Sequence, residues 1–154
     1  MRALLQRVRH ASVTVDGVTT GKIGEGLLVL LGVRREDTRE DLEYLAEKIP
    51  NLRIFHDKEG RMNRSVIEVG GSILLVSQFT LYASTRKGRR PGFDRAAPPE
   101  DALRHYREMI HLLSESVSVE TGEFGARMSV ELLNEGPVTI MLDSEDRRKR
   151  RDDV

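Results

Sequence analysis

Residues 128–142 read MSVELLNEGPVTIML, and the way the chain handles the middle of this stretch decides the fold. β-Branched and apolar residues lie on both sides of a polar break that ends in Gly136-Pro137. Proline donates no backbone hydrogen bond, so within a sheet it is confined to edges, bulges and turns. Two readings follow. The break is a hairpin or bulge between strands, or the chain interrupts its pairing to present bare backbone to something else.

Outward from that stretch, strand signals dominate. Residues 2–16 alternate as a long strand bent near His10-Ala11, Asp16-Gly17 makes a hairpin turn, and residues 18–23 return from it. Residues 26–33 (GLLVLLGV) are an unbroken apolar run, expected of a strand buried on both faces. Thr38 opens a helix, with Asp41 in a capping-box position. Leu42, Leu45, Ala46 and Ile49 follow at helical spacing, and Pro50 stops it. Residues 52–56 read as a short strand before a turn at 57–60. Residues 72–83 (SILLVSQFTLYA) carry the strongest strand signal in the chain. Pro98 and Pro99 open a second helix, whose apolar stripe is Ala102, Leu103, Tyr106, Met109, Ile110 and Leu113. Residues 117–120 and 128–143 add further strands. The expected class is α+β: a single domain with a mainly antiparallel sheet, a barrel-like core and two main helices.

Composition narrows the function. A chain of 154 residues with 38% hydrophobic content forms one domain with a true core. Its 25 basic and 25 acidic side chains cancel, which argues against attachment to nucleic acid by bulk charge and leaves room for a local basic patch. Without cysteine there is no disulfide, thiolate zinc site or cysteine nucleophile. His10, His56, His105 and His111 are scattered, so no protein-held metal and no cofactor is expected. The N-terminal apolar run is too short and too charged for a signal peptide, and nothing approaches the roughly 20 apolar residues of a membrane span. The expectation is a cytoplasmic protein with a domain over 1–144 and a charged, disordered tail over 145–154.

Two further segments carry chemistry. Ser77, Gln78, Phe79 and Thr80 bring polar groups abruptly to the end of a buried strand, either as it emerges into solvent or as a pocket wall. Residues 86–93 (RKGRRPGF) gather four cations, two glycines and an aromatic, either as a solvated loop or as a surface for phosphates and a stacked base.

The stretches SQFTLYA (77–83) and NEGPVT (134–139) resemble the motif pair of the D-aminoacyl-tRNA deacylases. The resemblance runs through the MRALLQRV start, KIPNLRIF, RMNRSV, KGRRPGF and FGARMSVELLNEGPVTIMLDS. Glu135 replaces a usual aspartate and Arg64 a common apolar residue; neither touches the Gly-Pro pair. The tail after Ser144 lies outside the resemblance.

The resemblance implies hydrolysis of the ester joining a D-amino acid to tRNA, and of mischarged glycyl-tRNA. It implies a homodimer with each active site at the subunit interface. Gly136-Pro137 is then cis, with carbonyls that enter the partner's pocket and reject L-amino acids. Such backbone rejection leaves glycine, which has no side chain to exclude, as a leak. Ser77, Gln78, Phe79 and Thr80 become catalytic, with N–H groups near Phe79 and Thr80 facing the carbonyl oxygen and the ribose 2′-hydroxyl assisting. Thr80 as nucleophile is less favoured, for want of a base beside it in the sequence. Lys87, Arg89, Arg90 and Phe93 bind the aminoacyl-tRNA partner. The competing readings are a non-catalytic RNA-binding module and an editing deacylase for an L-amino acid.

Overall fold

Positive φ at Asp16 and Gly17 (48° and 77°) reverses the chain between β1 (Arg2–Val15) and β2 (Val18–Ile23), as a two-residue hairpin turn requires. This computed structural model describes residues 1–149. β3 (Gly26–Gly32) is buried almost throughout. α1 (Arg39–Asn51) opens on the Thr38–Asp41 capping box, in which the Thr38 N–H donates to Asp41 Oδ2 at 2.8 Å. Pro50 sits inside the last turn rather than ahead of it. β4 (Phe55–His56) and β5 (Met62–Arg64) form a small separate hairpin, with β4 shorter than the strand expected over 52–56. β6 (Ser72–Ser77), α2 (Pro99–Ser114), β7 (Ser118–Thr121) and β8 (Ser129–Asp143) follow.

The main sheet runs β2-β1-β3-β6-β7, with β8 on the remaining side of β1. β1 is antiparallel to β2, β3 and β8, whereas β3–β6 and β6–β7 are parallel. The sheet is therefore mixed: antiparallel pairings predominate around β1, and the β3–β6–β7 side is parallel. The physical reason for the parallel side is the connections: the crossovers through α1 and α2 each carry the chain back to the end of the sheet where the previous strand began, so the next strand runs the same way. β2 curls over β7, where a Cβ on Gly21 would stand only 2.3 Å from the Thr121 carbonyl oxygen. The result is a nearly closed barrel.

Period-two alternation splits the apolar side chains between two cores. Leu27, Val29 and Leu31 of β3 and Ile73 and Leu75 of β6 face the helices, against Leu42, Leu45 and Ile49 of α1 and Tyr106, Met109 and Leu113 of α2. Leu28, Leu74 and Val76 face the other way, with Val8, Ala11, Val13 and Ile23. β1 crosses from the first core to the second at its bend. Val8 pairs with Asn134 and Ala11 with Leu132, so an extra residue on β1 forms a bulge at Arg9-His10.

Order continues past the boundary expected at Ser144. Ser144–Arg148 forms a 3-10 turn against α1, and Arg147 Nε donates to Asp41 Oδ1 at 3.2 Å. Burial alone would raise the Asp41 carboxyl. Hydrogen bonds from the Thr38 backbone, Ser144 and Arg147 outweigh that and hold it well below the usual carboxylate range. The rest of the expected tail, residues 150–154, lies outside the described residues. Among the described residues, no helix is long and apolar enough to cross a membrane.

Candidate active site

The strand expected over 72–83 ends at Ser77. Up to there, each β6 residue finds a partner on β3, the last pair being Leu31 and Ser77. The Gln78 N–H still reaches the Leu31 carbonyl at 2.8 Å, but Phe79–Tyr82 then winds into a 3-10 turn. Gly32 permits this turn: a Cβ there would meet the Gln78 carbonyl oxygen and Leu81 Cβ, both at 3.0 Å. Tyr82 anchors the turn from below, buried between the guanidinium groups of Arg2 and Arg95, 4.8 and 5.6 Å from its ring centroid. The N–H groups of Phe79 and Thr80 begin the turn, where no carbonyl of the turn can reach them.

A cavity of about 580 Å³ opens beside the turn. Val76, Ser77, Gln78 and Phe79 form one wall, and Ala96 to Pro99 with Ala102 of α2 form the next. The loop from Phe124 to Ala126, with Met128 and Val130, closes the third. Phe93 meets Phe79 edge to face across the rim, with centroids 5.0 Å apart. Both aromatic rings are exposed although each has the other as a neighbour, an arrangement suited to a stacked base. Among the lining residues only Arg35 is ionisable. Below the cavity, Tyr106 donates to the Leu75 carbonyl at 2.8 Å, and burial pushes its hydroxyl up to about 12 against hydrogen bonding at Thr121 and Gly122. It is a structural donor and not a base.

Four of the residues singled out by sequence thus meet at one cavity: Ser77, Gln78, Phe79 and Phe93. Thr80 does not line it. Its side chain is exposed, and its hydroxyl accepts a hydrogen bond from the Gln78 amide. Lys87, Arg89 and Arg90 stand apart on an exposed hairpin, closed by reciprocal 2.8 Å backbone bonds between Ser84 and Gly92. Phe124 and Met128, better read from sequence as core, pack on the two cores and line the cavity as well. Sequence reasoning missed Arg35, Ala96 and Ala97, for which no local pattern exists, and read Ala102 only as part of the apolar stripe of α2.

Gly136-Pro137 is a cis peptide at the tip of a bulge in β8, away from this cavity in the single chain. Two steps along β1, from Gln6 to Val8, face five along β8, from Thr139 to Asn134. The intervening residues loop out as a bulge, not as a hairpin between two strands. Asn134 closes the loop's base: its amide donates to Thr139 Oγ1 at 2.9 Å and its oxygen accepts from the Val138 N–H at 3.0 Å. Arg7, buried beneath, donates from Nε to the Glu135 carbonyl at 3.1 Å and from Nη1 to the Ile54 carbonyl at 2.6 Å. Gly136 and Pro137 themselves are exposed.

Comparison with known proteins places this architecture. A family profile described as D-Tyr-tRNA(Tyr) deacylase matches residues 4–143. A D-aminoacyl-tRNA deacylase of Chloroherpeton thalassium is 59% identical over 94% of this chain and 96% of its own length. One of Thermosipho africanus is 56% identical over 94% of this chain and 97% of its own. A solved structure described as c-Myc DNA Unwinding Element Binding Protein superposes with a TM-score of 0.88 at 44% identity, covering 93% of this chain and 98% of that one. With the profile spanning nearly the whole fold and relatives this similar end to end, the chain belongs to the D-Tyr-tRNA(Tyr) deacylase family.

Proposed function

We propose that the cavity beside the Phe79–Tyr82 turn receives the aminoacyl-adenosine end of tRNA. The activity is that of the family: hydrolysis of the ester of D-aminoacyl-tRNA, releasing the free amino acid and tRNA. One observation carries the mechanism. A cavity whose only ionisable lining residue is an arginine offers no side-chain base to a nucleophile or a water. Catalysis then rests on positioning an already activated ester and on stabilising its oxyanion with the N–H of Phe79, on the cavity wall, joined by that of Thr80 next to it in the turn. The ribose 2′-hydroxyl of the substrate supplies the assistance that no side chain offers.

Selection belongs to the Gly136-Pro137 bulge of a second copy, reaching the cavity across a homodimer interface. β8 is a 15-residue edge strand with Val130, Leu133 and Met141 exposed, the kind of long apolar edge that natural proteins cover. The bulge's carbonyls accept from the α-ammonium and leave no room for an L side chain, so mischarged glycyl-tRNA is hydrolysed too. Lys87, Arg89 and Arg90 meet the tRNA backbone, and the work is done in the cytoplasm. A non-catalytic nucleic-acid-binding reading draws on the basic hairpin and on the name of the 44% identical structure. Incubation with D- and L-aminoacyl-tRNA decides between them: release of the D-amino acid alone is expected, whereas protection of both esters refutes the enzymatic reading. Release of an L-amino acid would instead indicate an L-editing enzyme.

A further inference from the structure

Arg35 follows β3 on the segment that receives the chain back from the basic hairpin. Its N–H donates to the Arg95 carbonyl at 3.1 Å, and its Nε donates to the Asp94 carbonyl at 2.6 Å. The neighbouring Arg34 pairs with Glu36, Asp37 and Glu145. Arg35 itself has no ion pair among the described residues, and its side chain is exposed where it borders the cavity. The backbone contact through Nε leaves the terminal donors of the guanidinium for a ligand.

A single cation in an otherwise neutral, largely apolar cavity imposes a polarity on whatever enters. The substrate carries one positive group, the α-ammonium, and negative charge only on its phosphates. Coulomb repulsion keeps the ammonium away from Arg35, and attraction draws a phosphate to it. The geometry points to Arg35 as the residue that binds the phosphate on the 5′ side of the terminal adenosine, orienting the ester so that its acyl end meets Ser77 and Met128. A planar guanidinium suits this role, since it offers a phosphate two parallel donors. The assignment rests on the reading that the cavity takes the aminoacyl-adenosine. Arg35 is then a positioning residue: it contributes to binding and leaves the chemical step alone.

The test uses a non-hydrolysable 3′-amide analogue of D-tyrosyl-adenosine, with and without a 5′-phosphate, alongside full D-tyrosyl-tRNA. Arg35→Gln is expected to weaken binding of the phosphorylated analogue about tenfold, the scale of one charge-assisted contact, and to leave the phosphate-free analogue unchanged. With the full substrate, KM rises by a similar factor while kcat holds, and the slope of log affinity against log salt falls by about 1. Arg35→Lys restores part of the loss. Equal weakening of both analogues would mean that Arg35 only shapes the cavity, and no weakening of either would make it a surface tether; each overturns the assignment. Ala102→Trp, which puts an indole into the cavity, separates the two levels. If it leaves analogue binding and tRNA deacylation intact, the cavity is not the site and both readings fall. If it abolishes them while Arg35→Gln changes nothing, only the role of Arg35 falls.

Discussion

The Gly-Pro bulge and the basic hairpin are both exposed departures from regular pairing, yet they are built in opposite ways. The bulge is tied at its base by both ends of the Asn134 amide and from below by the buried Arg7 guanidinium. The hairpin is closed only by the Ser84–Gly92 backbone pair, and among the described residues Arg86, Lys87, Arg89 and Arg90 form no ion pair. A wall that must exclude a substituent needs fixed atoms, because a carbonyl free to retreat rejects nothing. A surface that meets phosphates works through long-range charge and tolerates adaptable side chains. On the proposed function, rigidity is placed where shape decides and withheld where charge decides.

That contrast can be broken from its rigid side first. Arg7→Met should destabilise the fold by about 3 kcal/mol in chemical denaturation, since the Glu135 and Ile54 carbonyls lose their donor while still enclosed. It should also narrow the ratio of D- to L-ester hydrolysis, and an unchanged ratio would show that Arg7 does not brace the wall. Gly136→Ala comes next, at about 2 kcal/mol. Its φ of 131° is one that L side chains rarely adopt, and the added Cβ would meet Val138 Cγ2 at 2.8 Å. On the soft side, replacing Lys87, Arg89 and Arg90 together by alanine should leave thermal stability almost unchanged. It should weaken tRNA binding at low salt and reduce the salt slope by about 3. Unchanged affinity at low salt would make the hairpin a solvated turn. Thr80→Ala should have the smallest effect and keep measurable deacylation, because its hydroxyl lies outside the cavity. Loss on the scale of about 10⁶, as when a catalytic nucleophile is removed, together with a trapped aminoacyl-enzyme in the unaltered protein, would overturn the base-free mechanism.

What could be read from sequence follows the range of the interactions involved. The doubly buried strand at Gly26–Gly32, the Asp16-Gly17 turn and the Thr38 cap are set by neighbours a few residues away, and each is found where its pattern places it. The parallel side of the sheet depends on where α1 and α2 deliver the chain, which no local pattern encodes. The run over 72–83 misleads because its apolar residues continue into Leu81 and Tyr82, while strand pairing ends at Ser77 and Gly32 admits a tight turn instead. Of the site, the polar strand end and Phe93 were legible as chemistry out of place. Arg35 was not, because one arginine in a loop looks the same whether it faces solvent or a cavity.

The close approach at Gly21 bears on how the molecule assembles in time. β2 and β7 belong to units about a hundred positions apart, and they meet where a single hydrogen occupies the space of a side chain. The β1–β2 hairpin gains its own contacts from a two-residue turn, whereas the seam must wait for a very large loop to close. The barrel should therefore shut late on the folding route. A methyl group at position 21 would then chiefly hasten unfolding and leave the rate of folding nearly untouched.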